Sequence, residues 1–373
     1  MADSSNREVK KNNRIRTLRA VLAGGRISQP ALAAELGHSG PTVLSNIREL
    51  IQLGLVEEIG VFDSTGGRRA KAFGPVADAR LSIGLEITKS HIGLVAVDLT
   101  GSLVAYRRQE MAFSMSDAYF QQLAQRLEQF IQNEELAPQR LLGVGISLPG
   151  IVDERERLLT DSHVLQLKDV STDCFSRCLP YSCRFINDAN AAGLAEVYQQ
   201  EELKNLVYLS LSDSVGGAIL IDGRLYAGDH RRAGELGHNT LVPNGRPCYC
   251  GKLGCLDSYC NAQILSGMTG GSLERFFEGV EERRPALLAA WNEYLENLAV
   301  AVNNLRMTFD CNVMAGGYVG SYLEEYGGDF SERLARRNPF EQDTSYFKFC
   351  RHRLGASALG AALLLVEDFI RGL

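Results

Sequence analysis

The 373-residue chain is long enough for two or three domains, and a hydrophobic fraction of 45% supplies packed cores. Its net charge of −6 is unevenly divided: residues 1–79 carry 11 Lys/Arg against 8 Asp/Glu, so a mildly basic head precedes a body with 28 against 37. The polar stretch Met1–Asn13 is unlike a signal peptide, and the longest apolar run, Ala356–Val366, falls short of the roughly 20 residues that cross a bilayer, so the expected location is cytoplasmic.

In chain order, Ile15–Leu22 fits a short amphipathic helix. A second runs from Ser28 to Leu36, with Ser28 as its cap and Pro30 in the first turn, where a missing N–H does no harm. Gly37–Gly40 turns the chain, and Pro41 opens a third helix with Val43, Ile47, Leu50 and Ile51 on one face. Leu55–Gly60 and Arg68–Phe73 read as strands around the turn Asp63–Gly67. Three helices and a hairpin make a winged helix-turn-helix, followed by a linker near Gly74–Asp78. Strands are then expected at Leu81–Ile87, Ile92–Asp98, Leu103–Glu110, Leu142–Ser147, Cys183–Ile186, Leu206–Leu211, Gly217–Ile221 and Asn312–Ala315. Helices at Asp117–Asn133 and Ala286–Asp310 alternate with them, an α/β pattern without repeats.

The third helix would offer Ser39, Thr42, Ser45, Asn46 and Arg48 to a major groove. The turn Gly66-Gly67-Arg68-Arg69 would let backbone approach a duplex and send Arg68 and Arg69 into a narrow minor groove. The alternative use of such a module is binding another protein.

Nine cysteines include a tight group: His238, Cys248, Cys250 and Cys255, spaced H-x9-C-x-C-x4-C. Three thiolates and an imidazole form a closed tetrahedral set, as structural zinc prefers, with no position left for a reactive water. Pro247 stiffens the approach, and Gly251 and Gly254 allow the tight turns between ligands.

Three other segments place polar groups at strand ends. They are Leu148-Pro149-Gly150, Ile186-Asn187-Asp188-Ala189-Asn190, and Ala233-Gly234-Glu235-Leu236-Gly237-His238. Carboxylates and an amide suit vicinal sugar hydroxyls, which donate and accept in pairs.

With these segments and Cys248-Tyr249-Cys250-Gly251-Lys252-Leu253-Gly254-Cys255-Leu256-Asp257, the chain resembles the ROK family (repressors, open reading frames and kinases) from residue 14 to about 365. The attached head points to its transcriptional-regulator branch. The resemblance implies two actin-like lobes around a sugar cleft, with Gly150, Asn187, Asp188, Glu235, His238 and Asp257 on the sugar. His238 would also bind zinc, and Asp188 matches the catalytic base of kinase members. Asp257 departs from the family's usual Glu by one methylene. The head would cover residues 1–78, the first lobe 79–187 with 352–373, and the second lobe 188–351.

Both phosphate-binding turns of the kinases are altered. The first falls on Glu86-Ile87-Thr88-Lys89-Ser90, without its glycines, and the second on Ser212-Asp213-Ser214-Val215-Gly216, where only Gly216 survives. Cβ atoms obstruct backbone approach to phosphate, and the Asp213 carboxylate would repel it. The expectation is therefore a sugar-responsive regulator, not an enzyme, with Asp188 as a vestigial base. It would bind a palindromic operator as a homodimer, with homotetramer formation also open. The rivals are an active ATP-dependent sugar kinase carrying a DNA-binding head, and a sensor of a phosphorylated sugar that uses Lys89.

Overall fold

The computed structural model describes residues 2–63 and 69–373, with side chains from Glu8 onward. In the head, α1 (Ala2–Gly24), α2 (Gln29–Leu36) and α3 (Gly40–Gln52) pack on an antiparallel sheet of β1 (Ile27–Ser28), β2 (Val56–Val61) and β3 (Lys71–Pro75), ordered β1-β3-β2. Ser28 and Ser39 cap α2 and α3 by accepting from the backbone amides of Ala31 and Thr42, and each helix has Pro in its first turn. Leu18, Val21, Leu32, Val43, Ile47 and Leu50 are sealed from solvent between them.

The first helix begins well before the expected Ile15. Its polar start is held by α3, where Glu49 takes Lys10 at 2.6 Å and Arg14 at 3.3 Å. The segment after β3 is also no free linker. The Val76 amide donates to Leu55 O at 3.1 Å, Leu99 donates to Ala77 O at 2.9 Å, and Ala79 is buried.

The first lobe is a five-stranded sheet of β4 (Leu81–Ile87), β5 (His91–Asp98), β6 (Leu103–Glu110), β7 (Leu141–Leu148) and β11 (Cys183–Asn187), in the order β11-β7-β4-β5-β6. It carries α4 (Asp117–Asn133) on one face. Between β7 and β11 lies a small sheet that the sequence did not announce: β8 (Ile151–Asp153), β9 (Leu158–Ser162) and β10 (Leu167–Ser171), with α5 (Asp173–Ser176) after it. The chain then enters α6 (Asp188–Val197) directly.

The second lobe repeats the plan with β12 (Leu206–Leu211), β13 (Val215–Ile221), β14 (Arg224–Leu225), β15 (Asn312–Gly316) and β16 (Phe347–Phe349), ordered β14-β13-β12-β15-β16. The short α7 (Asp257–Cys260) and α8 (Ala262–Ser266) lead to α9 (Leu273–Glu281) and the long α10 (Pro285–Phe309), followed by α11 (Gly317–Gly320) and α12 (Gly327–Ala335). An aromatic layer of Phe277, Trp291, Tyr294 and Tyr326 packs these helices together.

The last helix, α13 (Ala356–Gly372), returns to the first lobe and packs on β4, β7 and α6. Its approach is backbone to backbone. A Cβ at Gly84 would lie 1.7 Å from Ala358 O, one at Gly145 2.0 Å from Ala361 O, and one at Gly360 1.7 Å from Ala191 O. The loop before α13 is tied to α6 by the buried Glu196 carboxylate, which accepts from the Arg351 and His352 amides, each at 3.0 Å. Beyond the sheet, α13 reaches the head: Val366 and Ile370 share one apolar core with Leu18, Val21 and Phe73. Lys11 donates to Gly372 O at 3.2 Å, Arg14 donates to Leu373 O, and Arg19 pairs with Glu367 at 2.5 Å.

Replacing Gly360 by Val is expected to cost about 2–3 kcal/mol, because the α6 backbone cannot yield to the added carbons. Urea denaturation of the variant beside wild type measures this as a fall in the unfolding midpoint.

Candidate functional site

The cleft begins where β7 ends. Gly150 has φ +122°, and a Cβ there would stand 2.2 Å from Asp161 O, so the turn admits no side chain. Its carbonyl accepts from Asn187 Nδ2 at 2.9 Å, while Asn187 Oδ1 caps α6 by accepting from the Asn190 amide at 2.9 Å. That double tie fixes the β11–α6 corner and sets Asp188 at the helix start. Asp188 Oδ1 accepts from Asn187 Nδ2 at 3.0 Å and from the Ala189 amide at 2.9 Å. Loss of water around the carboxylate, with smaller repulsions from Glu86 and Glu235, raises its pKa to about 7.

From the second lobe, Gly234 at φ +96° turns the chain against Gly217, and Glu235 follows. Burial and the nearby Asp161 hold the Glu235 carboxyl above its ordinary range. Gly150, Asn187 and Glu235 line one cavity, and Asp188 lines the neighbouring one with Glu86, Arg108, Asp213 and Tyr318. The structure thus brings these sugar-expected residues around one cleft between the lobes.

Asp257 departs from expectation. It is buried, its Oδ1 accepts from the Val215 amide at 2.7 Å, and its Oδ2 accepts from Asn261 Nδ2 at 3.3 Å. Its shorter side chain is spent inside the lobe, holding the start of β13, and does not open to the cleft as the resemblance implied.

His238, Cys248, Cys250 and Cys255 offer four ligand atoms within 4.8 Å of one another. Cys248 Sγ lies 3.7 Å from His238 Nδ1, and Cys250 Sγ lies 3.7 Å from Cys255 Sγ. A tetrahedral ion with bonds of about 2.3 Å to sulfur requires sulfurs about 3.8 Å apart, so the set fits such a metal. Tight turns at Gly251 (φ +88°) and Gly254 (φ +81°) bring the thiols together. The other imidazole nitrogen, Nε2, faces Tyr249 Oη at 3.2 Å and Glu235 Oε2 at 4.0 Å. Burial lowers the His238 pKa and favours the neutral ring a metal requires.

Tyr249, between two cysteines, stacks on His163 of the first lobe with centroids 3.8 Å apart and planes 8° from parallel. No local pattern marks this contact beyond the place of Tyr249 within the cysteine loop. Asp161 and Arg231 also lie beside the cleft, with no motif in the sequence to mark them.

At the turns that match the kinases' phosphate loops, Glu86 accepts from Ser357 Oγ and has its pKa raised by burial. Loss of water raises Asp213 likewise, against the pull of Lys89, Arg108 and His91. Arg108 lies over the Tyr318 ring at 5.8 Å. Two carboxyl groups and a cross-lobe Arg–Tyr contact occupy the walls of that cavity.

On the head, Ser45 and Arg48 are exposed on the outer face of α3, and Ser39 and Thr42 stand at its start with their hydroxyls 2.8 Å apart. Asn46 does not join them. It is buried, and its Nδ2 donates to Thr17 Oγ1 at 3.0 Å, so it braces α3 on α1 and cannot reach a base edge. Arg69 is exposed, and Arg68 lies outside the described residues. Among the described residues no helix is long and apolar enough to cross a membrane.

A winged-helix head on a two-lobed, sugar-kinase-like body with a His/Cys metal-binding group defines the class of protein. The ROK family model matches residues 82–368, and a winged helix-turn-helix DNA-binding model matches residues 11–57. The chain belongs to the ROK family. It is 28% identical to the xylose repressor of Bacillus spizizenii over 97% of both chains. The crystal structure of a ROK family transcriptional regulator, a homologue of the E. coli Mlc protein, superposes with a TM-score of 0.77, 20% identity and 98% coverage of each chain. The ROK hexokinase from Thermus thermophilus superposes on the body, with a TM-score of 0.62 and 25% identity over 77% of this chain and 99% of its own.

Protonation of Asp188 has a consequence for stability. Its folded pKa is raised, so its stabilising share is full below about pH 4 and is lost as pH rises through about 7. Asp188→Asn keeps the Oδ1 acceptor without the charge. The variant should exceed wild type by about 1–2 kcal/mol, several °C in Tm, at pH 8 and match it near pH 4. Calorimetric melts at the two pH values measure the difference.

Proposed function

We propose that this chain is a sugar-responsive transcriptional repressor whose ROK body senses a monosaccharide and does not phosphorylate it. One observation carries the reading: Gly150, Asn187, Asp188 and Glu235 remain gathered at the cleft, while Glu86 and Asp213 put carboxyl groups where kinase members cradle phosphate. A triphosphate beside those groups would meet acidic side chains where the kinase turns offer glycine backbone N–H groups, so its oxygens would lack that cradle. Occupancy of the cleft is then the output, and Asp188 serves as a hydroxyl ligand. The protein acts in the cytoplasm as a homodimer on a palindromic operator, with α3 of each head in a major groove and the wing at the adjoining minor groove.

The path from cleft to head runs along α13. Its first turn lines the cleft cavity through Ala356 and Ser357, and its last turn is packed into the head. A sugar that changes the lobe angle moves this helix and with it the two α3 helices of the dimer. The His/Cys group holds a structural zinc ion, which pins His238 and thereby the turn that carries Glu235.

The test is operator-fragment binding with and without sugars, beside a coupled assay for ADP release. A sugar-dependent change in operator affinity without turnover supports the reading; sugar-dependent ADP release at an ordinary enzymatic rate, abolished in Asp188→Ala, overturns it. Arg48→Ala with Arg69→Ala should weaken operator binding about tenfold or more and flatten the log K against log salt slope by about 0.9 per lost phosphate contact. In Cys250→Ser, the metal content falls and the sugar response is lost; a variant that loses its metal and still responds removes zinc from the coupling.

A further inference from the structure

The small sheet of β8, β9 and β10 supplies none of the expected sugar ligands, yet one of its turns reaches the other lobe. Ser162, at the end of β9, is buried; its Oγ donates to Pro149 O at 2.5 Å and accepts from the Leu165 amide at 3.2 Å. The turn that follows is closed by Gln166, whose amide and Nε2 both donate to His163 O, at 3.3 and 2.6 Å. The main chain of His163 is thereby braced on the Pro149-Gly150 wall of the cleft, while the residue itself is exposed.

Tyr249 is held as firmly from the second lobe. The Cys248 amide donates to Lys252 O at 2.9 Å, the Gly251 amide donates to Cys248 O at 3.0 Å, and Ser258 Oγ donates to Pro247 O at 3.0 Å. The Tyr249 hydroxyl meets His238 Nε2 at 3.2 Å, on the wall that carries Glu235. Its ring then lies face on face with His163, centroids 3.8 Å apart and planes 8° from parallel. Tyr249 remains 44% exposed, so this stack forms at a rim and not in a core. Two side chains free to turn into water meet because each backbone arm is fixed before the rings touch. An aromatic pair is worth about a two- to tenfold shift between joined and parted states. That is enough to bias an opening equilibrium and too little to lock it.

We propose that His163 and Tyr249 form a clasp between the lobes. The inserted sheet and the cysteine loop are its two arms, and their ring contact sets how often the cleft opens. The clasp also governs how long a bound sugar stays, a consequence that rests on the sugar reading of the same cleft.

Hydrogen exchange of the full chain without sugar, followed by mass spectrometry, measures opening directly. In His163→Ala, amides of segments 148–153 and 233–238 should exchange about two- to tenfold faster, while β4 and β12 keep their wild-type rates. Segment 233–238 belongs to the opposite lobe, so a merely local loosening of the His163 turn would not move it. His163→Phe keeps the stack without the imidazole nitrogens and should restore wild-type protection. In a Tyr249→Leu background, His163→Ala should add nothing, because the contact is already gone. If His163→Ala speeds exchange only within its own turn, or if the Phe variant behaves like the Ala variant, the clasp is overturned. Repeating the exchange with pentoses, hexoses and N-acetylhexosamines separates the two claims. Protection that a sugar confers on wild type should shrink in His163→Ala; if no sugar protects wild type, the sugar reading falls and the sugar-free rates still decide the clasp.

Discussion

The architecture depends on the close approach of α13 to the first-lobe sheet and to α6, at distances only glycine permits. The carbonyls of Ala358 and Ala361 in α13 lie against Gly84 and Gly145 of the sheet, and Gly360 of α13 against Ala191 O of α6, with no side chain between; interiors packed in this way transmit displacement with little yielding. The same helix begins at the cleft and ends in the core of the head. A shift at Ser357 therefore cannot be absorbed locally without opening the sheet or the head. Glu196 strengthens the constraint, because its buried carboxylate satisfies two backbone amides of the preceding loop and ties that loop to α6.

Charge in the cleft follows a related logic. Glu86 and Glu235 both lie close enough to Asp188 to raise it, and burial raises all three. A carboxyl near half-protonation at neutral pH can donate to a hydroxyl as well as accept from one. Asp213 lines the same cavity as Glu86 and Asp188.

The strands and long helices were legible because their apolar periods are strong: β4, β6, α4 and β12 begin and end where alternation or the 3.6-residue repeat does. The sheet of β8, β9 and β10 was not, since its strands of three to five residues gain their identity only by pairing. Asn46 is the instructive miss. It lies three residues after Val43 and four before Leu50, inside the arc those residues bury, so the helical period already placed it inward while its polar chemistry suggested DNA. His163 and Tyr249 meet across 86 positions of chain, which leaves no local pattern to read.

The His/Cys group joins these threads through the two nitrogens of one ring. Nδ1 of His238 turns to the thiols and Nε2 turns to Tyr249 and Glu235. An ion held at Nδ1 leaves the neutral ring's hydrogen on Nε2, so the edge facing the cleft becomes a donor beside the acceptor Glu235. Without an ion the hydrogen can sit on either nitrogen, and that edge loses its fixed polarity. An ion in this group would thereby fix the polarity of the ring edge beside Glu235. The Tyr249 ring, stacked on His163 of the opposite lobe, carries the same loop across to the first lobe.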